Sequence, residues 1–275
     1  MNMTSATRPQ VAGKLAAVTF LFWVMKICAT TLGETAGDLL SMTLDIGYIA
    51  SSAILLSLFV VVLVCQLRAK TFHPFLYWSV ILATSTAGTT TSDFMNRTLQ
   101  LGYAVGSAIL LGLLIAVLAV WRLVEGSLAV GDVRSRRAEL FYWAAILCSN
   151  TLGTALGDYL ADDSGLGFAG GATLIGGVLM LIALAYFLTD LSRVALFWAA
   201  FVLTRPFGAT MGDVLTKGPE LGGLGFGTIG SSLVLAAILV AVICYTKRRQ
   251  PDPRAGTSDV DPPHPPAAPA MPGEQ

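Results

Sequence analysis

Residues Phe22–Leu40 read FWVMKICATTLGETAGDLL, and the same frame returns three times. The copies are YWSVILATSTAGTTTSDFM from Tyr77, YWAAILCSNTLGTALGDYL from Tyr142 and FWAAFVLTRPFGATMGDVL from Phe197. In each, an aromatic residue precedes Trp (Trp23, Trp78, Trp143, Trp198). Gly follows ten residues after the Trp (Gly33, Gly88, Gly153, Gly208), and Asp five after that (Asp38, Asp93, Asp158, Asp213). Every copy then reaches a Gly-aromatic pair: Gly47-Tyr48, Gly102-Tyr103, Gly167-Phe168 or Gly225-Phe226. A stretch rich in small residues follows, such as SSAILLSL from Ser51 and GSAILLGL from Gly106. The repeat Trp residues lie 55, 65 and 55 positions apart, which suggests a duplicated pair joined by a longer charged loop around Glu125–Glu139. A period of this length marks one supersecondary unit used four times.

Each unit holds two apolar runs. Clear runs are Tyr48–Leu67, Tyr103–Val124, Phe168–Leu188 and Phe226–Tyr245, and less uniform ones lie near Val11–Leu32, Phe75–Thr90, Leu140–Leu160 and Val194–Leu215. About 20 helical residues cross a hydrocarbon layer. Of the 275 residues, 55% are hydrophobic and 12% charged, too few charges to cover a soluble surface. The mean hydropathy is +0.71. The reading is an all-α polytopic membrane protein of eight transmembrane helices, arranged as four parallel two-helix repeats in a pseudo-fourfold or 2+2 ring. The transmembrane domain is 1–249, with repeats at about 12–68, 72–124, 137–190 and 193–246. Residues 250–275, rich in Pro, Ala and Asp, read as a disordered cytoplasmic tail.

Thirteen of the 17 Lys and Arg lie at the two chain ends or in the even-to-odd connections, among them Arg68, Arg122, Arg136, Arg193 and Lys247. The odd-to-even connections carry Asp45, Asp162, Asp163 and Glu220, with Arg97 and Lys217 as exceptions. The positive-inside rule therefore places both termini in the cytoplasm, in the cell (inner or plasma) membrane. The first span lacks a small-residue cleavage site and carries the repeat motif, so it is expected to remain in the mature protein. Net charge is zero, which offers nothing to nucleic acid. Cys28, Cys65, Cys148 and Cys244 fall inside predicted spans and read as core residues rather than disulfides.

Residues four apart share a helix face. The first span so aligns Lys26, Thr30, Glu34 and Asp38; the third Ser85, Thr89 and Asp93; the fifth Asn150, Thr154 and Asp158; the seventh Arg205 and Asp213. Polar side chains in a membrane helix face other helices or a water-filled cavity. The four Asp are expected around an outward vestibule, with Lys26 and Arg205 deeper. Two uses compete for the Asp: capping the outer turn, or clustering carboxylates that attract a hard cation. Glu34 has Thr89, Thr154 and Ala209 as repeat equivalents, so the turn does not demand a carboxylate there. It either pairs with Arg205 to close the ring or binds a cation or proton under the influence of Arg205 or Lys26. Small residues four apart, such as Gly33 and Gly37 or Gly208 and Gly212, fit close helix packing. Pro206 is expected to kink the seventh span.

The pattern T-x-G-x-x-x-x-D, as in Thr31 to Asp38 and Thr151 to Asp158, resembles a group of bacterial multi-pass integral membrane proteins of unassigned function. The resemblance covers about residues 12–246 and implies the membrane class without a substrate. The fourth copy departs from it at Pro206 and by three extra residues before Gly225.

The function expected is a transporter or channel-like protein for a small cation, a divalent metal or a proton-coupled one. Its ion or substrate path would be lined by Glu34, Asp38, Asp93, Asp158, Asp213, Thr30, Ser85, Thr89, Asn150 and Thr154, with Lys26 and Arg205 in charge pairing. Alternatives are a carrier of a small organic anion using Lys26 and Arg205, and a non-transporting membrane scaffold. No nucleophile-base pair, metal triad or phosphate loop is visible, so no enzyme and no cofactor are expected. The lipid bilayer is the expected partner, and the sequence leaves the oligomeric state open.

Overall fold

The computed structural model describes residues 15–249, which form eight α-helices. They are α1 (Phe20–Asp38), α2 (Tyr48–Arg68), α3 (Pro74–Asp93), α4 (Tyr103–Glu125), α5 (Arg136–Asp158), α6 (Gly167–Leu188), α7 (Arg193–Thr216) and α8 (Thr228–Arg249). Among the described residues there is no strand. The expected tail at 250–275 and the start of the first repeat, residues 12–14, lie outside the described residues. Local chemistry sets the helix starts. The Thr19, Ser135 and Ser192 hydroxyls accept from backbone N–H groups three residues on. His73 does the same through Nδ1 in front of Pro74, at the first position of α3.

One boundary departs from the sequence reading. The first helix begins at Phe20 rather than near Val11, and α1 extends past Leu32 to Asp38. Apolar residues before Thr19 drew the predicted span too early, whereas the side chain of Thr19 caps the helix that forms. After the repeat Asp, α1, α3 and α5 each widen into one π-helical turn (Leu39–Thr43, Phe94–Thr98, Tyr159–Asp163). The fourth copy has its three extra residues there and instead ends α7 at Thr216, followed by a 3-10 turn at Pro219–Leu221. In all four copies the glycine of the Gly-aromatic pair has positive φ (Gly47 80°, Gly102 73°, Gly167 68°, Gly225 71°). That backbone region is open to glycine and costly for other residues, which explains the glycine in every copy.

The four motif helices form the inside of the molecule. α1 packs on α3, α3 on α5, α5 on α7, and α7 back on α1, so the ring closes. Each remaining helix leans on the motif helix that follows it: α2 on α3, α4 on α5, α6 on α7 and α8 on α1. The arrangement is pseudo-fourfold. The outer helices turn large apolar side chains away from the protein; Val60, Ile115, Leu181 and Val234 are all more than half exposed. An apolar surface this extensive needs a non-aqueous partner. Six helices are long and apolar enough to cross a membrane: α2, α4, α5, α6, α7 and α8. α1 and α3 are not among them. α1 carries Lys26, Glu34 and Asp38, and α3 is rich in Ser and Thr, but both sit inside the ring where neighbouring helices cover their polar faces.

Candidate functional site

The repeat positions stack as layers along the ring axis. At the level of each Trp and the residue before it, Phe22, Tyr77, Tyr142, Trp78 and Trp143 are buried in a mesh of edge-to-face and tilted ring contacts. The Tyr77 and Tyr142 hydroxyls meet at 2.6 Å across it. This aromatic layer closes one end of the bundle. One turn further on come Lys26, Ile81, Ile146 and Phe201; then Thr30, Ser85, Asn150 and Arg205; then Glu34, Thr89, Thr154 and Ala209; then the four Asp. All of these side chains are buried.

Glycine fixes the spacing between helices. A methyl group added to Gly33 would overlap Ser85, one on Gly88 would crowd Asn150, one on Gly153 would overlap Arg205, and one on Gly208 would overlap Thr30. The conserved-in-repeat glycine of each copy thus receives the residue seven past the Trp of the next copy, and the fourth receives that of the first. A second notch repeats the pattern one turn on, where Gly37 faces Thr89, Gly157 faces Ala209 and Gly212 faces Glu34. Close approach of backbones through small residues is how polar helices are held together in apolar surroundings.

Arg205 and Glu34 break the symmetry. Arg205 Nη2 lies 2.8 Å from Glu34 Oε2 and donates to the Thr89 and Thr154 hydroxyls at 2.6 Å each. Those hydroxyls lie 3.2 and 3.4 Å from the same carboxylate oxygen. In the fourth copy Ala209 stands where the others have Glu or Thr, leaving room for the Arg205 guanidinium to rise into that layer. The pair closes the ring between the first and fourth repeats. α7 runs unbroken through Pro206. Lys26 behaves differently. Its Nζ donates to Asn150 Oδ1 at 3.3 Å and lies 4.1 Å from the Phe201 ring centroid. Asn150 in turn donates to Thr84 at 2.9 Å. Among the described residues no carboxylate is within ion-pair distance of Lys26, so the charge pairing expected of it is absent.

Asp38, Asp93 and Asp158 make no side-chain cap hydrogen bond to the turns that follow them, and Asp213 lies within α7. They meet cations instead. Arg97 Nε lies 3.1 Å from Asp93, and its Nη2 lies 4.0 Å from Asp158. Lys217 Nζ lies 3.0 Å from Asp38 and 3.3 Å from Asp213. Just beyond α7, Lys217 loses hydration, which alone would lower its pKa; Asp38 and Asp213 outweigh that and hold it well above the usual lysine range. Tyr103, from a Gly-aromatic pair, lies under the Arg97 guanidinium at 5.7 Å.

Arg97 and Lys217 are the two site residues that sequence reading left unassigned. They were legible: both follow a repeat Asp by four residues, and both are the basic exceptions on an otherwise acidic side. Their repeat equivalents are Met42 and Asp162, and these four line a vestibule of about 360 Å³ with Phe168 and Leu221. The Asp residues therefore sit beneath the vestibule rather than on its wall. Under the Lys217 side, Glu34, Asp38 and Asp213 each offer one carboxylate oxygen, and the three oxygens lie within 4.8 Å of one another. Hard cations take oxygen ligands in such clusters. Thr30 Oγ1, with one proton to donate, lies 3.0, 2.9 and 3.2 Å from the backbone oxygens of Lys26, Ile27 and Thr204, which makes it a packing residue. Cys28 is likewise engaged, with Sγ 3.3 Å from the Leu235 carbonyl, and all four cysteines are free thiols.

With four copies of one geometry in view, the sequence profile of a family described as Repeat of Unknown Function (DUF347) matches residues 21–72, 76–127, 141–192 and 196–251. The chain belongs to that family. The DUF347 segments each take in one inner helix and the outer helix after it, so the family unit and the structural unit coincide. No curated protein and no solved structure matches the chain.

Proposed function

We propose that this DUF347 protein is a carrier for a small hard cation, a divalent metal or one whose movement is coupled to protons. The cation enters from the vestibule and binds between Glu34, Asp38 and Asp213. The observation that carries the reading is the convergence of three buried carboxylates from two ring helices, beneath an open vestibule and beside a lysine ammonium already held in the same place. A rigid open channel fits less well, because the Arg205 guanidinium crosses the axis one layer deeper and the aromatic layer closes the far end. Passage through this column requires the Arg205–Glu34 pair to rearrange, as in a carrier with alternating access.

In this reading all eight helices span the cell membrane, with both termini in the cytoplasm. α1 and α3 cross despite their polarity because the ring buries them, and the basic end of the bundle faces inward. The scaffold alternative requires a fully paired interior. Against it, Arg205 Nε and Nη1 and Ser85 Oγ are buried without hydrogen-bond partners.

The test is uptake of radiolabelled Mn²⁺ by proteoliposomes, with and without a pH gradient. The wild type should accumulate the ion, and the quadruple variant Asp38→Asn, Asp93→Asn, Asp158→Asn, Asp213→Asn should not. Equal uptake by both, or none by either for Mn²⁺, Mg²⁺ and Ca²⁺ alike, would remove the proposal.

A further inference from the structure

We infer that the layers holding Lys26 and Arg205 form a second site, for a small inorganic monoanion of chloride type. Lys26 and Arg205 are completely buried on adjoining helices, one turn apart along the axis. Glu34 touches Arg205 through a single nitrogen, and among the described residues no carboxylate is within ion-pair distance of Lys26. The other two guanidinium nitrogens, Nε and Nη1, are buried with no acceptor. Ser85 Oγ, in the same layer as Arg205, is also buried without a partner. The Lys26 ammonium has three N–H groups and one oxygen acceptor, Asn150 Oδ1 at 3.3 Å; its other close contact is the Phe201 ring.

The region is thus rich in donors and short of acceptors. Buried donors left unmade are costly, and water removes only the hydrogen-bond deficit. A monoanion meets that deficit and also gives Lys26 the counter-ion that it lacks among the described residues. A halide suits a donor-rich setting because it has no geometry of its own to satisfy. The site stands independently of the cation reading, but Glu34 links the two. A metal that draws Glu34 toward Asp38 and Asp213 takes from Arg205 its one carboxylate, so anion affinity rises. Such coupling is reciprocal and on the order of tenfold.

The experiment is equilibrium binding of ³⁶Cl⁻ to the purified full-length protein in detergent, with gluconate holding the ionic strength constant. Wild type should bind one saturable chloride per chain. Lys26→Met should weaken it by about tenfold or more, the loss of one charge-assisted donor, and Ser85→Ala by a few-fold. Arg205→Gln leaves Glu34 without its partner and risks misfolding, so the double variant Glu34→Gln, Arg205→Gln is the control; it should bind no chloride while eluting as folded protein. No saturable chloride, or binding indifferent to Lys26→Met and to the double variant, overturns the inference. Mn²⁺ binding measured on the same wild-type sample keeps the two proposals apart, since chloride binding without Mn²⁺ binding sinks only the cation site.

Discussion

The two sides of the Asp ring are built on the same backbone and are chemically unlike. On one side Asp93 and Asp158 share Arg97; on the other Asp38 and Asp213 share Lys217. Each cation belongs to the helix repeat of one acid and reaches to the acid of the next, so the decoration is twofold where the ring is fourfold. The Lys217 side has a third carboxylate close by, Glu34, whereas the equivalent residues elsewhere are Thr89 and Thr154. A planar guanidinium is a fixed fork, and an ammonium is a compact point charge on a flexible stem. Symmetry accordingly supplies the scaffold, and departures from it mark where a ligand is expected: Glu34, Arg205 with Ala209, and Lys217.

That contrast can be attacked at several points. The largest effect is expected at the pair that breaks the symmetry. Glu34→Gln leaves the Arg205 charge buried without its counter-ion, and stability should fall by about 3–5 kcal/mol in a reversible unfolding assay. Adding Arg205→Gln to it should recover most of the loss. Next comes the split between sides: Asp213→Asn should slow Mn²⁺ uptake by proteoliposomes at least tenfold, about 1.4 kcal/mol or more, while Asp158→Asn slows it only a few-fold. Equal losses on both sides would erase the difference between the Lys217 and Arg97 halves of the ring.

Packing gives a third check. Gly153→Ala should destabilise the protein by about 1–3 kcal/mol because a methyl group there overlaps Arg205. Gly112→Ala, on the outer helix α4 with nothing within 4 Å, should be neutral or stabilising by up to about 1 kcal/mol. The smallest effect is expected at the rim. Lys217→Gln should raise Mn²⁺ affinity a few-fold by removing a tethered competitor, on the order of 1 kcal/mol for a partly exposed pair. Arg97→Gln should leave Mn²⁺ affinity unchanged.

Much of this arrangement was legible in the chain. Trp, Gly and Asp at fixed spacing gave the four units, and the four-residue stripe placed Lys26, Arg205, Glu34 and the Asp residues in their depth order. What escaped was set by contacts across the ring. Nothing local to Lys26 says that its neighbours are Phe201 and Asn150 rather than a carboxylate. Arg97 and Lys217 counted as exceptions to a charge rule because both lie beyond the ends of the expected spans, where their i, i+4 relation to Asp93 and Asp213 was not followed. The start of α1 was misplaced since apolar residues before Thr19 mimic a helix, while the cap that begins it is one hydroxyl.

The most direct measurement is the stoichiometry of Mn²⁺ bound to the purified protein, followed by electron paramagnetic resonance. The account predicts one tightly held Mn²⁺ per chain, lost in Glu34→Gln, Asp38→Asn, Asp213→Asn and kept in Asp93→Asn, Asp158→Asn. Retention of Mn²⁺ in the first variant, or no tight Mn²⁺ in the wild type, would contradict it.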